Sequence, residues 1–298
     1  MNPKCPNSNC RKLSSPSKII KDGTFKRACD SRLIQRFRCK ICGTRFSSAT
    51  FSLEKYQKKR RVNPILFRLL ASGVSMRRAS LILGLNRKTV HRKFDYLAKK
   101  SSLRQKKFLK NFESPTTKIQ HIQIDDLVTI EHTKLKPVFV SLAVDVHSRF
   151  IIGAEVSTVG AFGHLAKISV KKYGKRKNTH NEGLTRLFET LEPIVSSRAL
   201  IESDEHKNYP PHVRKYFPKS NFNTYQSIRG CIAGQGELKK TANDPLFVIN
   251  HTCAMLRANI NRLIRKTWCT SKNNIMLKKH LDIFIAYYNL EYLKGDFL

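Results

Sequence analysis

The chain has 298 residues and carries 57 Lys+Arg against 21 Asp+Glu, a net charge of +36 at pH 7. Its hydrophobic fraction of 40% supports packed cores and excludes a disordered basic tail, while so large a cationic excess points to an extended polyanion, nucleic acid, as partner. There is no run of about 18 apolar residues, no leader-type segment and no long basic amphipathic helix, so the expectation is a cytoplasmic chain of two or three domains with reduced thiols.

From the N-terminus, CPNSNC places Cys5 and Cys10, and RCKICG places Cys39 and Cys42. In a reducing compartment such pairs are better read as metal knuckles than as disulfides. Two knuckles around KIIKDGTFKR, a segment able to form a small hairpin, resemble a zinc ribbon over 1–52 with four thiolate ligands. Cys29 lies between the pairs as an alternative ligand. Cys253 falls on an apolar helical stripe and reads as a small core residue.

Residues 53–108 divide into three helical pieces: about Pro64 to Ala71, Ser75 to Leu83, and one starting at Asn86, with Gly73 and Gly84 ending the first two. This is a helix-turn-helix pattern. Val90, Phe94 and Leu97 form the inner face of the third piece, the expected recognition helix. Arg87, Lys88, His91 and Arg92 on its outer face are candidates for DNA contact. SSLRQKKFLKNFESPTT loses helical periodicity and ends in Ser-Pro-Thr-Thr, so a linker is expected, assigned to 109–118.

Beyond Lys118 the pattern turns to strands. KIQHIQIDDLVTI carries Asp125 and Asp126; KPVFVSLAVDV and RFIIGAEVS are joined by a turn at 145–149; two helical segments follow; RALIESDEHKNYP is a further strand ending in Asp204 and Glu205. DPLFVINHTCAMLRANINRL closes the pattern as a helix, with Asp244 and Pro245 reading as cap and first turn. Asn250 and Arg257 lie seven residues apart on one edge of its apolar stripe. The layout is α/β with a mixed sheet in 119–298. Carboxylates at the C-terminal ends of two strands in so basic a chain suggest divalent cations between protein and phosphate, the chemistry of metal-dependent phosphoryl transfer.

QIDDL, SDEHKNY and INHTCAMLRANINRLIRKTWC resemble the three motifs of the DDE transposases of bacterial insertion sequences, and the likeness spans nearly the whole chain. It implies a ribonuclease H-like catalytic core behind the zinc ribbon and helix-turn-helix. The family's acids carry over to Asp125 and Asp204, with Tyr209 five residues after the second. Its third metal ligand falls on Asn250 and its basic partner on Arg257. The family usually has glutamate where Asn250 stands; an amide oxygen can ligate magnesium but brings no charge. Glu237 is the alternative third acid, and Asp126 or Glu205 could restore the missing charge.

The resemblance implies DNA strand cleavage and strand transfer with two Mg2+ or Mn2+ at Asp125, Asp204 and Asn250, Arg257 on a phosphate, and structural Zn2+ at the cysteines. It also implies terminal inverted repeats and target DNA as partners, a homo-oligomer on DNA, and a bacterial, nucleoid-associated location. Lys171, Lys172, Lys175, Arg176 and Lys177 form a basic loop that reads equally as a track for backbone phosphates or as a solvated face. His206 reads as a polar neighbour of the second motif. The alternatives are a non-catalytic DNA-binding protein derived from a transposase and a nuclease without strand transfer.

Overall fold

The computed structural model describes residues 3–11, 18–55, 57–226, 244–264 and 269–293. The chain divides into two compact units, Met1–Leu66 and Phe67–Leu298.

In the first unit a short helix α1 (Ser8–Arg11) precedes an antiparallel sheet of β1 (Ile19–Lys26), β2 (Leu33–Cys39) and β3 (Arg45–Ser47), in that order. KIIKDGTFKR was expected to fold back on itself, but it forms one strand. Gly23, at φ 71°, allows a bulge where the register shifts between Lys21 and Thr24, and the reversal comes after Lys26. There the Arg27 N–H donates to the carbonyl of Arg32, and the Arg27 side chain pairs with Asp30.

Helix α2 (Asn63–Ala71) leads into the second unit, where α3 (Met76–Ile82) and α4 (Arg87–Leu109) follow. Ser75, expected inside the second helix, instead caps α3 by accepting from the Arg78 N–H, and Asn86 caps α4 by accepting from the Lys88 N–H. Val90, Phe94 and Leu97 are buried, while Arg87, Lys88, His91 and Arg92 are exposed. The expected linker begins later than the sequence suggested, because α4 continues through the polar stretch to Leu109 and a further helical turn ends at Phe112. The residues are polar because their partners are. Gln105 donates to the Ile151 carbonyl and accepts from Asn289, and Phe108 packs edge-on against Phe112 and Phe150; earlier in α4, Asp95 meets Lys279 of α9 (Asn274–Tyr287) at 2.6 Å.

The remaining strands are β4 (Ile119–Ile130), β5 (Pro137–Asp145), β6 (Ile151–Thr158), β7 (Val195–Asp204) and β8 (Asn221–Tyr225). They form one mixed sheet, ordered β6-β5-β4-β7-β8, with β5 antiparallel to both of its neighbours β4 and β6, and β7 and β8 running parallel to β4. Helix α5 (Leu165–Tyr173) follows β6. One face of the sheet is covered by α6 (His180–Leu191) and α7 (Tyr209–Tyr216), where Ile122, Ile124 and Ile201 pack with Leu184, Leu187, Phe188 and Val213. The other is covered by α8 (Phe247–Asn259) and α9, where Leu127, Val140 and Leu142 meet Ile249, Cys253, Leu256, Leu281 and Phe284. Strand alternation therefore sends Asp125 and Asp126 to opposite faces. Gly183 allows α6 to lie tight on the sheet, since a Cβ there would fall 1.9 Å from Ser157 Oγ. Among the described residues no helix is long and apolar enough to cross a membrane.

Candidate active site and cysteine cluster

Asp125 and Asp204 become neighbours through strand register. In the parallel β4–β7 pair Ile124 lies opposite Ser203, so the next residue of each strand is an aspartate. The two acids differ in one respect from the expectation. Asp204 ends β7, whereas Asp125 sits in the middle of β4, which runs on to Ile130 because β5 pairs with it as far as Pro137.

Beneath them lies a polar network that joins four elements, β4, β7, β8 and α8. Gln123 and Glu202 are opposite one another in the register. The Gln123 amide nitrogen donates to Glu202 Oε2 at 2.9 Å and to the Pro245 carbonyl at 2.7 Å, while its oxygen accepts from the Ile249 N–H at 3.0 Å. Glu202 is held also by His121 at 2.8 Å and by the Tyr225 hydroxyl at 2.8 Å. Burial alone would raise the Glu202 carboxyl, but these donors outweigh it and leave it below its ordinary value. One glutamine thus staples the first turn of α8 to the strand carrying Asp125. Gln123→Leu, which strands the Ile249 N–H and removes a donor from Glu202, is expected to cost about 2–4 kcal/mol in denaturant titrations.

Helix α8 begins later than expected. Its first residue is Phe247, and Asp244 and Pro245 lie outside it, with Asp244 Oδ1 accepting from the Leu246 N–H at 3.1 Å. The other carboxylate oxygen accepts from the Asn250 amide nitrogen at 3.0 Å. That bond engages the nitrogen and leaves the carbonyl oxygen as the end of Asn250 suited to a cation. It also brings a carboxylate beside the position where the resemblance implies one. The stripe residues Ile249, Cys253, Leu256, Ile260 and Leu263 are all buried as expected. Arg257 lies close enough to Asp125 to favour its ionised form, and its buried Nε has no hydrogen-bond partner.

The electrostatics mark the pair as under-neutralised. Burial, reinforced by the charge of Asp204, pushes Asp125 up to about 7, against the lowering effect of the Asp126 N–H and Arg257. Burial also raises Asp204, opposed by the His206 N–H, which donates to its Oδ1 at 3.1 Å. Tyr209 is raised well above its ordinary value by burial and then by the charges of Asp126, Asp125 and Asp204. Two carboxylates that burial and mutual repulsion disfavour as anions suit a hard divalent cation, which would neutralise both. The donor set fits magnesium or manganese.

A raised folded-state pKa on an acid means that folding penalises its charged form. The penalty is absent below about pH 4 and grows as pH rises to about 7. Asp125→Asn should therefore raise the melting temperature by several degrees at pH 8 without divalent cations, on the order of 1–4 kcal/mol, and leave it unchanged near pH 3.

No family model and no curated protein matches this chain significantly.

In the first unit Cys5, Cys10, Cys39 and Cys42 converge, with all four sulfurs within 4.8 Å of one another, and could hold a metal ion. Cys5 Sγ lies 3.5 Å from Cys42 Sγ and Cys10 Sγ 3.7 Å from Cys39 Sγ. Cys29 is exposed and stands outside the cluster. Thr44 donors push the Cys42 thiol down to about 6, while burial pushes Cys10 up to about 12.

Other candidates separate into free and engaged groups. Lys171, Lys172 and Lys175 are exposed, but Arg176 donates to the Pro137 carbonyl and pairs with Glu131, so it braces the fold and does not belong to a free basic loop. Lys177 pairs with Glu182 at 2.8 Å. Glu237 lies outside the described residues. Sequence reasoning missed Gln123, Glu202 and His180 as site supports. The signal for the first two was a polar residue at an inward position of an apolar strand; His180 had none.

Proposed function

We propose that the protein is a DDE-type transposase with asparagine at the third position, which cleaves DNA at the ends of an insertion element and transfers the strand. The carrying observation is the parallel register that sets Asp125 beside Asp204, with Arg257 of α8 close enough to act on Asp125. The strand order β6-β5-β4-β7-β8, with the first strand central and the last two parallel to it, supports a ribonuclease H-like core. The exposed basic start of α4 supports DNA contact through a helix-turn-helix, and the four converging thiols support structural zinc.

In this reading Asp125 and Asp204 would hold divalent cations, and the Asn250 carbonyl would be a further ligand. Bound magnesium or manganese supplies charge neutralisation and a water acidic enough to attack at neutral pH. The attack falls on a phosphodiester at the element end and frees a 3′-hydroxyl, which then attacks a target phosphodiester. Arg257, with its unpaired buried Nε, orients the phosphate.

The test is incubation of the full chain with duplex DNA carrying the sequences that flank its gene, plus Mg2+ or Mn2+. Nicks followed by joined products support the proposal. Nicks without joining indicate a nuclease, and specific binding without cleavage in either metal indicates a regulator. At the third position, Asn250→Asp is expected to retain cleavage and Asn250→Ala to lose on the order of 10–100-fold. An active Asn250→Ala beside an inactive Glu237→Ala would move the third ligand to Glu237.

A further inference from the structure

On the face of β4 opposite Asp125, three donors from three elements meet: Asp126, His180 at the start of α6, and His206 in the turn after β7. Their ligating atoms all lie within 4.8 Å of one another. The His180 side chain is 2% exposed and that of Asp126 8%. Asp126 Oδ2 and His180 Nε2 approach to 2.7 Å, yet neither forms a hydrogen bond of acceptable geometry. Two buried polar atoms that converge without bonding each other point at a common third partner.

We infer that Asp126, His180 and His206 form a binding site for a transition-metal ion of the zinc class, separate from the Asp125–Asp204 pair. The donor set decides the ion: two imidazoles and one carboxylate select zinc, cobalt or nickel over magnesium, which prefers oxygen throughout. The outer groups are those a metal site needs. The Ser141 hydroxyl donates to the other oxygen of Asp126, and Asn208 lies 2.9 Å from His180 Nδ1. Turning the Asn208 amide by half a revolution presents its oxygen to Nδ1–H, the tautomer that leaves Nε2 for a metal.

The Phe139 ring stands edge-on to both imidazoles, at 5.0 Å from His180 and 6.3 Å from His206, and dries one wall of the site. The buried Tyr209 hydroxyl lies by Asp126, and its ring is 5.3 Å from that of His206. His206 is only half-buried, which provides an entry path. An ion here clamps the turn after Asp204 to β4 and α6. It binds whether or not the chain cleaves DNA.

The experiment counts zinc in the full chain by mass spectrometry after equilibration against a weak chelator. Two zinc ions per chain are expected for the native protein, one at the cysteines and one at this site. Asp126→Asn, His180→Gln and His206→Gln should each hold one, with affinity for the second weakened about 100-fold or more. Retention of the cysteine-bound zinc reports on the first unit alone, so circular dichroism confirms that each variant is folded. His206→Gln, in a half-exposed turn, serves if His180→Gln fails to fold. One zinc in the native chain, or two that survive all three substitutions, overturns the inference and leaves an Asp–His contact only.

Discussion

Asp125→Ala and Asp204→Ala are each expected to lower metal-dependent DNA cleavage by on the order of 10^3-fold or more, with the double variant little worse than either single one. The two carboxylates act as a unit because register makes them neighbours and burial raises both. Neither change should unfold the chain. Each removes a carboxylate whose charged form the fold disfavours, so the inactive variants should melt at or above the native temperature at pH 8 without divalent cations. Cleavage rates and melting curves on the same preparations check both halves. Loss of activity with loss of folding would point to a structural role for the acids.

The second large effect concerns the cysteines. With its small three-stranded sheet, the first unit has little apolar core of its own, and Cys5, Cys10 and Cys39 make a buried cluster within it. Zinc binding to four thiolates would supply roughly 10–16 kcal/mol at neutral pH. Cys39→Ser, or a strong chelator, should therefore unfold residues 1–66 and leave the sheet-and-helix unit folded. Loss of amide protection confined to the first unit, measured by hydrogen exchange, is the expected readout. Cys29→Ser should change nothing, since Cys29 is exposed and outside the cluster.

Local chemistry made much of the second unit legible. Ser75 and Asn86 announced two helix starts, the apolar runs announced β4 to β7, and the stripe from Ile249 to Leu263 announced α8. What failed was tertiary. The end of α4 is polar where Gln105 accepts from Asn289, just beyond α9, a helix the sequence pattern did not announce. Strand β8 is five residues, NFNTY, with no buried position, so nothing in its pattern separates it from a loop. Asp125 looked like a strand end because two adjacent acids suggest a turn, whereas pairing with β5 carries β4 past them. At the site, the motif residues were readable one by one. Their supports were not: Gln123, Glu202, Asp244 and His180 gain their roles only when strands, helix start and turn come together.

Crystals of the full chain soaked in Mn2+ offer the most direct test, because anomalous scattering places the ion. The expected result is a peak about 2.0–2.2 Å from carboxylate oxygens of both Asp125 and Asp204, lost in Asp125→Asn. Mn2+ absent from that pair, or bound equally well in the Asp125→Asn crystal, would contradict a catalytic site built on these two strands.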